Sequence, residues 1–191
     1  MALWCQEQSV IQTADHAWNW GTALPAGRPR LCDWLEEAGS LTRRLRQHCR
    51  DFRVEPLAEA SLRPLTAEQV LLLGAEQAYC REVLLLCDDH PWVFASSLYS
   101  PDTREALPAL AGLGRRALGE LMFEAADLSR SRFQFAGLDS RQYRQLADHA
   151  GLAPEPAASP WGRRSVLSTG QARVLVTELF LPAANAYQEI L

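Results

Sequence analysis

Residues 173–182 read RVLVTELFLP, an apolar stretch with a single carboxylate, Glu178, near its centre. Successive side chains of a strand point to opposite faces, and both faces of this stretch carry Val, Leu or Phe. The pattern predicts a strand that other parts of the protein cover on both sides. An ionised carboxylate there costs several kcal/mol unless a cation or hydrogen-bond donors meet it, or unless it becomes neutral. Glu178 is therefore expected to be half of a buried ion pair or a working acid or base.

Composition limits the class of protein. At 191 residues, with 48% hydrophobic and 22% charged residues, the chain suits one soluble domain with a sizeable core. The net charge of −4 gives no general attraction to nucleic acid. No apolar run approaches the roughly 20 residues that cross a bilayer, and residues 1–12 are not typical of a signal peptide. We expect one cytoplasmic domain over residues 1–191, with residues 1–29 as a loosely structured lead-in. A buried site in such a domain needs no second subunit, so a monomer is expected.

Three residue types restrict the chemistry. The five cysteines lack CxxC spacing and the four histidines lack HxH or HExxH spacing, so neither a disulfide framework nor a metal site is expected. Cys80 and Cys87 should act as small buried hydrophobes, and the histidines should be surface or turn residues. Lysine is absent, since all 19 basic residues are arginine, which excludes a lysine Schiff base and a P-loop lysine. Any anion site must use arginine, backbone N–H groups or helix N-termini.

Turn residues and apolar runs predict an α+β protein built on one antiparallel sheet. Residues 78–87 and 92–99 should pair through a turn at 88–91, and 162–168 should pair with 173–181 through Thr169 and Gly170. Helices are expected at 31–35, from Ser40 onwards and over 101–123, with shorter strands at 52–54 and 129–136 and a loop at 151–160.

Arg81 is a candidate partner for Glu178. It lies in the most apolar predicted strand, on the face that also carries Val83 and Leu85. Two arrangements remain open. The two charged groups pair directly, or Arg81 holds a substrate carboxylate while Glu178 faces the reacting end. A direct pair leaves no room for a ligand, so their geometry distinguishes the two.

Two helix starts could add anion donors, because the first N–H groups of a helix are unpaired. They lie at Ser40-Leu41 and at Leu118-Gly119. Residues 161–165, WGRRS, are instead expected to form a surface strand with solvated guanidinium groups.

Several segments carry a further signal when they are taken together. They are WGRRS at 161–165 with LVTELFLPA at 175–183, REVLL at 81–85 with PW at 91–92, LG at 113–114 and 118–119 before Phe123, and DWL at 33–35 with SLT at 40–42. In order and spacing, over about residues 31–185, they resemble the chorismate pyruvate-lyase family. Members of that family make 4-hydroxybenzoate at the start of ubiquinone biosynthesis.

The resemblance implies a site as well as a fold. It implies one six-stranded antiparallel sheet with helical flaps closing over a buried ligand, and neither metal nor organic cofactor. Arg81 would bind the ring carboxylate together with the backbone N–H groups of Leu41 and Leu118. Glu178 would face the hydroxyl end of the product and the leaving pyruvyl ether of chorismate, and our hypothesis is that it acts there as a general acid or base.

The chain departs from the family pattern at two places. Leu41 stands where methionine is familiar, which a backbone contact should tolerate. Ala95 and Ser96 stand where Gly-Arg is familiar, and an added methyl group could reshape the pocket.

A second hypothesis comes from a different class. The same fold resembles the effector-binding domains of some bacterial transcription regulators, so the chain could be a non-catalytic module that binds an aromatic carboxylate. We expect no second, helix-turn-helix domain, which favours the enzyme.

Overall fold

The computed structural model describes residues 18–58, 60–153, 155, 159–170 and 172–188. Over these ranges the chain forms one antiparallel sheet with helices on both faces, which confirms the predicted α+β class. The strands are β1 (Phe52–Pro56), β2 (Ser61–Pro64), β3 (Gln77–Cys87), β4 (His90–Tyr99), β5 (Ser129–Arg130), β6 (Gln134–Gly137), β7 (Trp161–Thr169) and β8 (Ala172–Phe180). The helices are α1 (Pro29–Leu35), α2 (Leu41–Arg46), α3 (Ala67–Leu73), α4 (Pro101–Ala106), α5 (Leu118–Met122) and α6 (Ser140–Ala150), with short 3-10 segments at Pro108–Gly112 and Asn185–Tyr187.

The sheet is six positions wide, in the order β1-β3-β4-β8-β7-β5. Each edge position is shared by two short strands, because β2 also pairs with β3 and β6 also pairs with β7. The expected width is therefore observed, although the described ranges contain eight strands. The single strand predicted at 129–136 is divided into β5 and β6.

Both predicted hairpins are present. Asp88 and Asp89 connect β3 to β4 with φ angles of 50° and 65°, the left-handed conformation that a tight two-residue turn requires. The Asp88 carboxylate accepts hydrogen bonds from the N–H groups of Arg50 and Asp51, each at 2.9 Å, and holds this turn in place. Gly170, with φ of 52°, lies in the turn between β7 and β8.

Two helices go beyond the prediction. In α6, Asp139 accepts from the Gln142 N–H at 2.8 Å while the Gln142 side chain accepts from the Asp139 N–H at 2.9 Å. Thr66 and Gln69 form the same reciprocal cap at the start of α3. Both capping boxes are visible in the sequence, and the apolar run that follows Thr66 folds as a helix.

The sheet separates two layers of apolar core, each covered by helices. Residues of α1, α2 and α5 pack on the sheet face that carries Val83 and Val176, whereas α3 and α6 pack on the opposite face. Both faces of β8 are thus covered, as its apolar pattern predicts. Trp18, from the expected lead-in, is buried in the layer with α6. Within the described residues, none of the helices has the length and apolar character to cross a membrane.

Candidate active site

The register of the sheet brings the predicted site residues onto one face. Cross-strand partners lie side by side on the same face of an antiparallel sheet. One row runs Arg81, Ser97, Val176, Ser165, and the adjacent row runs Val83, Ala95, Glu178, Arg163. Arg81 and Glu178 are therefore separated by two strand spacings across the sheet, roughly 10 Å, and by one row along the strands, which is two residues.

A cavity lies between this face and the helices α2 and α5. Its empty volume, counted out to its mouth, is about 510 Å³. Leu41, Arg81, Leu118 and Glu178 all line it, so the structure brings the four sequence-predicted residues together. Arg130 also lines the cavity and was not among them.

Arg81 connects the sheet to the segment that covers the cavity. Its side chain is buried, and Nη2 donates to the carbonyl oxygens of Gly114 at 2.9 Å and Arg116 at 3.0 Å. Burial lowers the pKa of this guanidinium from its ordinary value, although it remains a cation at neutral pH. The group is thus a fixed, poorly hydrated positive charge at one end of the cavity.

Two helix starts also line the cavity. Ser40 caps α2, its hydroxyl accepting from the Arg43 N–H at 3.3 Å, and the helix begins at Leu41. The other start, at Leu118, follows Ala117 in α5. The first N–H groups of a helix have no acceptor within the helix, so both starts offer donors to an anion.

Gly119 lets these two starts approach each other closely. A Cβ atom at this position would lie 3.3 Å from Thr42 Oγ1, tighter than most such contacts. Both residues line the cavity.

Glu178 has a different partner from the one predicted. Arg163 is fully buried, and its Nε donates to Glu178 Oε2 at 2.6 Å. Because Arg81 donates to backbone carbonyls instead, the alternative in which Arg81 and Glu178 simply pair is wrong. Arg163 holds the Glu178 side chain by this contact, and the space between Glu178 and Arg81 is left to the cavity.

Arg163 also fixes the end of α1. Its Nη1 donates to the carbonyl oxygens of Trp34 at 3.3 Å, Leu35 at 3.1 Å and Glu37 at 2.6 Å. Carbonyls at a helix C-terminus carry partial negative charge, so a guanidinium there is favourable. One buried cation thereby positions both the carboxylate and the helix above it.

The prediction of solvated arginines at 161–165 is wrong. Arg163 and Arg164 are 0% and 3% exposed. Arg164 faces the other side of the sheet, donates to Gln134 Oε1 at 2.8 Å and pairs with Glu68. The available signal was the hairpin itself, since β7 pairs along its length with a strand covered on both faces.

Ala95 and Ser96, which replace the Gly-Arg of the family pattern, point to opposite faces of the sheet. Ala95 lines the cavity, so its methyl group takes space that glycine would leave. Ser96 points to the opposite face, where its Oγ lies 3.8 Å from Cys80 Sγ. Only the first of these positions bears on the ligand.

The remaining predicted roles are mostly structural. Cys80 and Cys87 are buried as predicted, and burial raises the pKa of the Cys87 thiol far above its usual range. His149 corrects the prediction of surface histidines, because it is partly buried in α6 with Nε2 2.7 Å from Oε2 of buried Glu82. His16 lies outside the described residues. Among those described, no cluster of three or more His, Cys, Asp or Glu side chains could hold a metal.

The chorismate lyase family model matches residues 12–190 of the sequence. The chain belongs to the chorismate lyase family. A protein of Halorhodospira halophila named "Probable chorismate pyruvate-lyase" is 40% identical over 184 residues, which cover 93% of this chain and 96% of that protein. Another of the same name, from Idiomarina loihiensis, is 38% identical over 162 residues, or 83% of this chain and 82% of that protein.

Solved structures of other proteins share the fold of this chorismate lyase family member. The effector domain of PhnF from Mycobacterium smegmatis superimposes with a TM-score of 0.54 at 13% identity, covering 75% of this chain and 89% of that domain. A second PhnF structure from the same organism gives a TM-score of 0.55 at 13% identity, covering 77% and 65%. At that identity the likeness shows the fold alone.

Proposed function

We propose that this protein is a chorismate pyruvate-lyase that converts chorismate into 4-hydroxybenzoate and pyruvate. Membership of the family supports the reaction class. The observation that carries the proposal is one cavity lined by Arg81, by two helix starts and by Glu178, whose carboxylate is bonded to Arg163. The proposal includes a cytoplasmic enzyme without metal or organic cofactor, whose product enters ubiquinone synthesis.

Arg81 is proposed to bind the ring carboxylate of chorismate and of 4-hydroxybenzoate. A guanidinium fork matches a planar carboxylate, and a poorly hydrated one loses little water when the anion arrives. The N–H groups of Leu41 and Leu118 would supply further donors. These groups anchor the acidic end of the ring, so the opposite end is directed away from Arg81 along the sheet face.

Glu178 is proposed to manage the proton of the elimination. The C–O bond of the enolpyruvyl ether breaks, and the ring carbon that bears the hydroxyl loses its hydrogen as a proton. The electrons of that C–H bond complete the aromatic ring. The leaving enolpyruvate takes up a proton at its methylene carbon and becomes pyruvate, so atoms and charge balance. The Glu178 carboxylate, which Arg163 holds in place, can accept the ring proton and can return it to the leaving group.

The protein contributes mainly orientation, because aromatisation already drives the reaction. Fixing the substrate carboxylate at Arg81 places the ether and the C–H bond beside Glu178. Orientation of this kind supplies several kcal/mol of barrier reduction when the geometry is close to the reacting one. The walls between the two ends are apolar side chains such as Val83 and Val176, which exclude water from the ring.

The test is incubation of purified protein with chorismate and EDTA, followed by chromatography with ultraviolet detection. Equal amounts of 4-hydroxybenzoate and pyruvate, formed at the same rate with and without EDTA, are expected. Unchanged chorismate, in a sample that binds 4-hydroxybenzoate, would reject the lyase and favour the small-molecule binding module.

A further inference from the structure

Arg130 reaches the cavity from the edge of the sheet opposite Arg81. It lies on β5, where it pairs with Leu167 of β7, and it lines the cavity together with Glu178. Arg81 lies on β3, four strand positions away in the sheet order. Four spacings are roughly 19 Å between backbones, and both arginine side chains line the one cavity between them. Glu178, on β8, lies between them.

Among the residues that the structure describes, the Arg130 guanidinium has only neutral hydrogen-bond acceptors. Its Nη1 donates to Ser165 Oγ at 2.9 Å, and Nη2 lies at the limit of a hydrogen bond, 3.5 Å from the Gly39 carbonyl oxygen. Its Nε is buried and, among the described residues, has no acceptor. The guanidinium carbon lies 4.9 Å from the centre of the Phe133 ring. Burial lowers the pKa of Arg130, which indicates a cation stripped of much of its water.

The nearby carboxylates are already paired with other arginines. Glu178 is bonded to Arg163 at 2.6 Å, and Glu37 lies 3.3 Å from Arg44. Both raise the pKa of Arg130 through their charge, but neither forms an ion pair with it. The described part of the chain thus compensates the charge of Arg130 only partly.

The charges around the cavity match a dianion. Arg81, Arg130 and Arg163 bring three positive charges, and Glu178 brings one negative charge. The sum is +2 for these four side chains, of which Arg163 is paired with Glu178 and does not itself line the cavity. Chorismate carries two carboxylates, one on the ring and one on the enolpyruvyl group, whereas 4-hydroxybenzoate carries one. With the ring carboxylate at Arg81, a second cation beyond Glu178 has no counterpart in the product.

We infer that Arg130 binds the enolpyruvyl carboxylate of chorismate, a contact that 4-hydroxybenzoate cannot make because it lacks this group. This assignment rests on the proposed function. It adds a binding residue at the leaving-group end, and it places the ether beside Glu178 by holding the substrate at both ends. When the bond breaks, the second carboxylate leaves with pyruvate and Arg130 loses its anion.

The experiment compares substrate and product binding in Arg130→Gln. Glutamine keeps a hydrogen-bonding side chain near Ser165 but removes the charge. The KM for chorismate should rise roughly 10- to 100-fold with kcat changed much less, because the lost contact exists in both ground and transition states. The inhibition constant of 4-hydroxybenzoate should change less than about threefold, since the product lacks the second carboxylate. Arg130→Lys, which keeps the charge but not the fork, should have an intermediate KM.

The outcomes separate binding from a structural role. Arg53→Ala removes an exposed arginine that pairs with Asp51 and Asp89 outside the cavity, and it serves as the matched control. Equal weakening of chorismate and 4-hydroxybenzoate in both Arg130 variants would show that Arg130 only supports the cavity and would overturn the assignment. An unchanged KM in Arg130→Gln would overturn it as well. A wild-type protein without turnover would reject the proposed function first, and this assignment with it.

Discussion

Glu178→Gln separates the chemistry of the carboxylate from its structural role. The amide oxygen can still accept from Arg163 Nε, which now donates to Glu178 Oε2 at 2.6 Å, so the local geometry is preserved. The charge is lost, and a fully buried cation remains without its anion. Removing a buried partner outright costs about 3–5 kcal/mol, and a retained neutral hydrogen bond reduces the loss to about 2 kcal/mol. The melting temperature should then fall by about 4–8 °C.

The kinetic cost should be larger than the loss of stability. An amide cannot accept and return a proton, so kcat should fall roughly 10²- to 10⁴-fold, which corresponds to about 3–5 kcal/mol of barrier. Pyruvate release measures kcat, and inhibition by 4-hydroxybenzoate measures binding, which should weaken less than about tenfold. Glu82→Gln is the matched control, because Glu82 is a buried carboxylate on the opposite face of the sheet and is bonded to His149. A kcat within threefold of wild type, or the same loss in both variants, would refute the acid/base role.

Three further changes test other parts of the structure. Arg81→Ala should weaken the binding of both chorismate and 4-hydroxybenzoate about 10- to 100-fold, as measured by the KM for chorismate and the inhibition constant of 4-hydroxybenzoate. Weaker binding of chorismate alone would contradict the role of Arg81 at the ring carboxylate. Gly162→Ala should lower the free energy of unfolding, measured in urea, by about 1–3 kcal/mol, because the new Cβ would lie 3.0 Å from the Glu178 carbonyl oxygen. An unchanged free energy of unfolding would mean that β7 and β8 can move apart to make room for it. His149→Leu should lower the free energy of unfolding by about 1–3 kcal/mol, because it leaves the Glu82 carboxylate without its hydrogen-bond donor. Adding Glu82→Leu should recover most of that loss. A double variant as unstable as the single one would exclude this explanation.

Local signals were sufficient for the sheet and for half of the site. The alternation around Glu178 predicts a strand covered on both faces, and the turn residues Asp88 and Gly170 predict both hairpins. Arg81 was recognisable because a cation in an apolar strand is rare. The helix α6 could also be predicted from the sequence, since Asp139 and Gln142 form a capping box. Its mostly polar residues, however, obscure the apolar stripe that it buries.

The missing half of the site depends on contacts between distant segments. Arg163 belongs to a polar pentapeptide, and only the packing of α1 over β7 and the pairing with Glu178 make it buried. Arg130 lies in a two-residue strand among polar neighbours, so no periodicity marks it. The burial of Arg130 and its position at the cavity depend on the sheet order, which brings β5 beside β7.

The helices that cover the cavity differ in how firmly they are attached. Fully buried Arg163 holds the end of α1 through three carbonyl oxygens, so moving α1 would cost several kcal/mol. Across the gap between α2 and α5, Arg46 pairs with Glu120, and more than half of the Arg46 side chain is exposed. Pairs of that kind contribute about 1 kcal/mol or less, so this gap is the easier one to open. On the proposed function, we expect ligand exchange between α2 and α5 at a rate that responds to salt, whereas ligand binding by the buried charges should respond little.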